Sequence, residues 1–258
     1  MKAIWTGALG FGLVNIPIKL FSAVEDSGLD LDMLDKRDGS NIRFKRVNEQ
    51  SGKEVPWENI VKGFWVSNRY VVLDKKDLEK ASPEKNKIIS ILQFVDLAEV
   101  DSEFFETPYY TVPQKGGEKA YCLLRDTLKK TGKAGLGSFV MREREHLCII
   151  KVTGKAIVVN RIRFAQEIRS QASLAIPSVK SKPAELKMAT QLVNQLSGPF
   201  KIDQFKDEYS KELKKIITAK SKGKEVRFKP MKVVHSPSKD LLSQLKQSLT
   251  PGKKKKAS

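Results

Sequence analysis

Alternation of apolar with polar positions runs through the first two thirds of the chain and predicts a succession of short strands. Around Pro17, for example, Ile18, Leu20 and Ser22 alternate with Lys19 and Phe21. Strands are expected at 3–5, 9–15, 17–24, 41–47, 60–66, 70–73, 87–95, 108–112, 135–142, 146–152 and 155–164, the first two turning at glycine. The dipeptides Asn68-Arg69 and Thr153-Gly154 predict two hairpin turns. One helix interrupts this series over 117–130: Ala120, Tyr121, Leu124 and Leu128 share a face, and Gly132 stands as its C-terminal stop. The pattern is mainly β with helices, an α+β class.

The periodicity changes after Arg169, where serine and proline cluster and three helical patterns follow. Pro183 opens a helix with Leu186, Ala189, Leu192, Val193 and Leu196 on one face, closed by Ser197-Gly198-Pro199. Asp203 is the expected cap of a second helix that carries Phe205, Tyr209, Leu213, Ile216 and Ile217, and Ser236 or Ser238 of a third with Leu241, Leu242, Leu245 and Leu249. The final stretch, with Lys253, Lys254, Lys255 and Lys256, is too polar to bury anything. The uncharged run 3–18 follows Lys2 as a signal-peptide core would, but Thr6, Asn15, Pro17, Gly7, Gly10 and Gly12 break it. No stretch is long and apolar enough for a membrane span.

Composition then selects among partners. Of 258 residues, 40% are hydrophobic, enough for a true core, while 48 lysines and arginines against 30 acids give a net charge of +18. Such a surface attracts a polyanion, nucleic acid before anionic membrane. The excess is uneven: residues 201–258 hold 17 basic and 6 acidic residues, a net +11 of the +18. Two cysteines, Cys122 and Cys148, allow neither a disulfide framework nor a four-cysteine zinc site and fit a reducing cytoplasm. Two histidines far apart, His146 and His235, argue against a histidine metal cluster or a serine–histidine–acid triad.

Two motifs raise enzymatic readings. Lys36-Arg37-Asp38-Gly39 matches the short sequence in which nucleic-acid ligases adenylate a lysine, but the companions of such a site are missing and Asp38-Gly39 reads as a turn. Gly7, Gly10 and Gly12 reverse the dinucleotide fingerprint, with no helix start following to receive a pyrophosphate. Stronger is the placement of basic residues on strand faces, which suits a regularly spaced phosphate backbone. Arg43 and Lys45 face one side of their strand opposite Ile42 and Phe44; Arg142 pairs with Arg144 and Arg161 with Arg163 in the same way. Lys115 and Lys119 flank Gly116-Gly117 at a helix start, where backbone amides favour an anion. Aromatic residues do not interleave with these positions as a stacking platform would require, so duplex recognition is favoured over single-strand recognition.

Longer matches give a family. The opening Ala3-Ile4-Trp5 with Gly10-Phe11-Gly12-Leu13-Val14-Asn15-Ile16-Pro17, the run Ile42-Arg43-Phe44-Lys45-Arg46-Val47, Gly52-Lys53-Glu54-Val55-Pro56, and Ile60-Val61-Lys62-Gly63 before Tyr70-Val71-Val72-Leu73 all recur in one group. So do Pro108-Tyr109-Tyr110, Gly116-Gly117-Glu118-Lys119-Ala120-Tyr121 and Asp207-Glu208-Tyr209. By these the chain resembles the prokaryotic Ku proteins of non-homologous end joining. The resemblance implies a β-barrel core with a strand-built bridge over 1–200, a helical region over 201–236 and a short helix with a lysine tail over 237–258. It implies a homodimeric ring that threads onto double-stranded DNA ends, with no catalytic residue, no cofactor and no metal, acting in the cytoplasm on the nucleoid. The DNA contacts implied are Arg43, Lys45, Arg46, Lys115, Lys119, Arg142, Arg144, Arg161, Arg163 and Lys253 to Lys256. A docking face at Tyr209, Leu213, Ile216 and Ile217 would recruit the ATP-dependent end-joining ligase. Many relatives carry Cys-x-x-Cys where this chain has Asn48-Glu49-Gln50-Ser51, so no metal reading carries over.

Overall fold

The computed structural model describes residues 1–81, 86–223 and 245. The expected third helix and Lys253 to Lys256 lie outside the described residues. The chain divides into two compact units, Met1–Gln171 and Ala172–Ser258, a division close to the change of pattern after Arg169.

In the first unit seven strands close a barrel: β1 (Trp5–Phe11), β2 (Val14–Ser22), β5 (Ile88–Asp96), β6 (Phe105–Pro113), β7 (Lys133–Met141), β8 (Arg144–Thr153) and β9 (Ala156–Ile162), while β3 (Lys62–Val66) and β4 (Arg69–Leu73) form a separate hairpin. Around the barrel the order is β1-β2-β6-β9-β8-β7-β5. All its pairings are antiparallel except the closing seam, where Ala8 to Gly10 of β1 run parallel to Ile88 to Ser90 of β5. Closure leaves no barrel edge free to pair with another chain. The two short strands expected at 3–5 and 9–15 are instead the single strand β1 and the start of β2. Gly7 and Gly10 lie within β1 at the seam: a Cβ on Gly7 would run into the Lys87 carbonyl, and one on Gly10 would sit 3.0 Å from Ile88. The turn comes later, at Gly12, whose φ of +57° favours glycine.

The inward positions interlock as one core. Leu9, Ile16, Ile18, Leu20, Ile89, Phe139, Cys148, Ile150, Ile157 and Val159 are buried together, and each fully buried leucine or isoleucine contributes about 1.5–3 kcal/mol. Helix α2 (Glu118–Thr131) adds Tyr121, Leu124 and Leu128 to the same cluster and so closes one end of the barrel. Its placement is fixed by a polar lock: the Tyr121 hydroxyl accepts the Ile157 N–H at 2.8 Å and donates to the Thr111 carbonyl at 3.0 Å. The Thr111 hydroxyl donates to the Ile157 carbonyl at 2.8 Å. As expected, Gly132 ends α2 in the left-handed conformation, φ +67°. Burial pushes the Cys148 thiol up to about 12, which makes it an inert filler.

Between β2 and β5 the chain leaves the barrel as an arm. It contains the β3–β4 hairpin, α1 (Lys75–Ala81), which the sequence pattern did not predict, and two isolated bridges, Leu34↔Asn41 and Val47↔Glu54. No described residue from 24 to 81 is buried. The strand expected at 41–47 does not form: bonds from Ile42 N–H to Met33 and from Val55 N–H to Arg46 hold only its ends, and a strand needs a partner along its length. Ile42 and Phe44, expected on the face opposite Arg43 and Lys45, are exposed. The hairpin turns at Ser67-Asn68, both at positive φ, one residue earlier than Asn68-Arg69.

The second unit contains α3 (Pro183–Leu196), with proline in its first turn as expected, and α4 (Glu208–Ser221). The cap of α4 is Asp207 rather than Asp203, since Asp207 accepts the Ser210 N–H at 2.9 Å; residues Ile202–Gln204 form a short 3-10 turn and Phe205 precedes the helix. The Ser210 hydroxyl, first, and its backbone N–H, second, hold the Asp207 carboxyl below its ordinary range.

Candidate nucleic-acid interface

The end of the barrel opposite α2 is open, and arginines gather there. Strands β7 and β8 pair up to Met141↔Arg144, which leaves Arg142 and Glu143 as a two-residue turn with φ of +52° and +68°. Arg142 therefore sits in the turn, not on the strand face expected for it beside Arg144. Along β8, positions 144, 146 and 148 point the same way. Cys148 faces Arg161 of β9 in the ladder and Phe139 faces His146. These registers bring Arg142, Arg144, His146 and Arg161 around a cavity of about 320 Å³ completed by Ile4, Tyr109 and Met141. A neighbouring cavity of about 300 Å³ shares Arg144, His146 and Arg161 and adds Glu106, Glu145 and Glu167.

Glu106 organises the charges. Its carboxylate accepts the Arg161 Nε–H at 2.6 Å and lies 3.6 Å from the Arg163 guanidinium. Arg163 follows β9 and donates to the Glu103 and Phe105 carbonyls at 2.8 and 2.9 Å, so part of its donor set holds the chain in place. Behind the arginines Trp5, Phe139 and His146 form an aromatic row, and the Trp5 indole donates to the Val140 carbonyl at 3.2 Å. Burial, first, and the Arg161 charge, second, hold His146 below its ordinary 6.5.

The remaining predicted positions are dispersed. Arg43, Lys45 and Arg46 lie on the exposed arm: Lys45 pairs with Glu54 at 2.7 Å, and Arg46 stacks over Trp57 at 4.5 Å. Lys115 and Lys119 are exposed beside the start of α2, but the Gly116 N–H there is held by Glu118 at 2.8 Å and the Gly117 N–H by the Gln114 carbonyl at 2.9 Å. Sequence reasoning missed Glu106 and His146. His146 was legible as the next same-face position after Arg144; Glu106 meets Arg161 across 55 residues of chain, with no local signal. At the α2 end, a further cavity of about 360 Å³ is lined by Lys129, Lys133 and Lys151, with Lys133 paired to Asp96 at 2.8 Å.

On α4, Leu213 and Ile216 are half-buried while Tyr209 and Ile217 are exposed, so the apolar stripe is divided between packing and solvent. Lys36-Arg37-Asp38-Gly39 forms a turn: Gly39 N–H bonds to the Asp35 carbonyl, and the Arg37 guanidinium pairs with the Asp35 carboxylate. Among the described residues no three histidine, cysteine or acidic side chains are placed to hold a metal, and no helix is long and apolar enough to cross a membrane.

Comparison with known proteins identifies the architecture. Residues 10–189 match the family described as the Ku70/Ku80 beta-barrel domain. The chain is 37% identical to a non-homologous end joining protein Ku of Coxiella burnetii, over 99% of this chain and 96% of that one. It is 39% identical to one of Opitutus terrae over 99% and 95%, and 37% identical to one of the archaeon Archaeoglobus fulgidus over 88% and 90%.

Proposed function

This chain belongs to the Ku family of non-homologous end joining proteins, and from that premise we propose that two copies of it form a ring that threads onto a double-stranded DNA end. The observation that carries this reading is the arm. It holds Phe44, Trp57, Phe64 and Tyr70 at 80%, 68%, 67% and 68% exposure on a segment without a core of its own. Apolar surface of that extent calls for a partner, and a second copy of the same arm would cover it by two-fold symmetry. A ring built so gives end preference without reading bases, because the phosphates supply affinity and the topology demands a free terminus.

Within this reading the phosphate contacts come from Arg142, Arg144, Arg161 and Arg163 at the open barrel end and from Arg43, Lys45 and Arg46 on the arm. Lys115, Lys119 and the tail lysines Lys253 to Lys256 add to them. The protein acts as a clamp with no catalytic group, and the exposed Tyr209 and Ile217 of α4, with Leu213 and Ile216 behind them, dock the end-joining ligase. Its place is on the nucleoid. Light scattering on Trp65→Ser/Tyr70→Ser tests the arm: these rings are 4.7 Å apart and largely exposed, so the expected result is a monomer with an intact barrel that no longer holds DNA ends. A variant that stays dimeric removes the hairpin from the seam; one that becomes monomeric yet binds ends as tightly refutes the ring.

A further inference from the structure

We infer that the open mouth of the barrel is a pocket for a single terminal phosphate, the phosphomonoester at a strand end, and not merely part of a basic surface. This rests on the end-binding reading above and assigns one of its contacts. Beneath the mouth the barrel is filled: the buried Phe139 and Cys148 stand beside His146 and Arg161 in the ladders, and α2 adds Tyr121, Leu124 and Leu128 to the same core, so the recess does not run through the barrel. An internal phosphodiester reaches such a recess only with its two non-bridging oxygens, whereas a phosphomonoester at a strand end can enter it whole. The cavity's 320 Å³ is of the size that accepts a small ligand.

The chemistry agrees with the shape. Three guanidiniums, Arg142 from the turn, Arg144 from β8 and Arg161 from β9, line one cavity, and arginine matches the oxygens of a phosphate in bidentate geometry. Glu106 on β6 holds Arg161 through its Nε, leaving the outer nitrogens of that guanidinium available. Glu145 and Glu167 line the neighbouring recess but not this one. Tyr109, Met141 and His146 line the cavity with them. A monoester carries about −1.5 to −2 charges near neutrality against −1 for a diester, so it gains more from the triple cluster.

His146 reports on the site without DNA. Burial and Arg161 favour its neutral form, while Glu106 and the Met141 carbonyl favour the charged one; a phosphate dianion arriving beside it would raise its pKa. The experiment follows the His146 imidazole by NMR in the full-length protein, the second histidine being replaced as His235→Gln. Inorganic phosphate, a nucleoside 5′-monophosphate and the bare nucleoside are titrated in turn. In parallel, affinity is measured for blunt duplexes carrying 5′-phosphate or 5′-hydroxyl ends.

The expected result is a saturable shift with the two phosphates and none with the nucleoside, and tighter binding of the phosphorylated duplex. Arg144→Ala should abolish the shift and the preference, a loss of about tenfold to a hundredfold for one charge-assisted contact. Arg144 is exposed, so the barrel should survive its loss; thermal unfolding checks this, and Arg142→Ala repeats the test from the turn. No shift, together with equal affinity for both duplexes, overturns the pocket while leaving end binding intact. A phosphate-induced shift in a protein that fails to hold any DNA end would uphold the pocket and refute the clamp instead.

Discussion

Replacing Glu106 by glutamine should weaken the fold and strengthen DNA binding at once. Glu106 is the acid that bridges Arg161 and Arg163, with side-chain exposures of 26%, 27% and 36%. Glutamine keeps an oxygen to accept the Arg161 Nε–H but removes the charge. The loss to stability is about 1 kcal/mol, the weight of a partly buried pair discounted for solvent screening. A phosphate docked on Arg161 would lie about 7 Å from that carboxylate; at an effective dielectric constant of about 40–80 their repulsion is about 0.6–1.2 kcal/mol. Salt near 0.1 M roughly halves it, leaving about a two- to threefold gain in affinity. The slope of log K against log salt should steepen by up to about 0.9, as one more cation becomes available to the phosphates. Fluorescence anisotropy with a labelled duplex over a salt series, paired with urea unfolding, reads both effects. Lower stability with unchanged affinity and slope would mean that Arg161 and Arg163 serve only the fold.

Three further outcomes follow from the packing. Tyr121→Phe leaves the Ile157 N–H buried and unpaired, since the lost hydroxyl accepted it at 2.8 Å, and should cost about 1–3 kcal/mol in urea unfolding; a near-neutral change would show that water replaces the hydroxyl and that α2 is not locked. Gly137→Ala places a Cβ 2.5 Å from the Ser90 carbonyl and 3.2 Å from Ile150, which should cost about 1–3 kcal/mol by overpacking; wild-type stability would contradict the β5–β7 register. For His146, whose folded pKa lies below 6.5, the unfolded chain takes the proton first. Its contribution to stability is full above that value and is lost as pH falls through it toward the folded pKa. Between about pH 7 and 5 the wild type should therefore lose stability that His146→Gln does not lose, and equal slopes would place the imidazole in solvent.

The barrel was legible because each of its strands buries one face, so burial and alternation coincide from Ile16, Ile18 and Leu20 to Ile157 and Val159. The Gly132 stop and the Gly154 turn, φ +60°, were legible because left-handed backbone leaves a mark in local sequence. The arm was not. Ile42, Phe44 and Lys45 alternate as a strand does, but among the described residues only the bridges Leu34↔Asn41 and Val47↔Glu54 hold the ends of this segment, and both faces meet solvent. The site was half legible for the same reason. Arg144 and Arg161 stand at alternating positions that any reading of the strands exposes, whereas their convergence depends on the β8–β9 register, which pairs Cys148 with Arg161. Arg142 was misplaced by one element, because an Arg-Glu pair is an unusual choice for a turn that needs two positive φ angles.

The most direct test of the clamp compares three duplexes of one sequence: an open linear form, a covalently closed circle, and a linear form with both ends blocked by bulky adducts. Threading predicts tight binding to the open form alone, with the circle and the blocked duplex held only by weak, salt-sensitive contacts. Equal affinity for all three would contradict the ring and leave a basic duplex-binding protein.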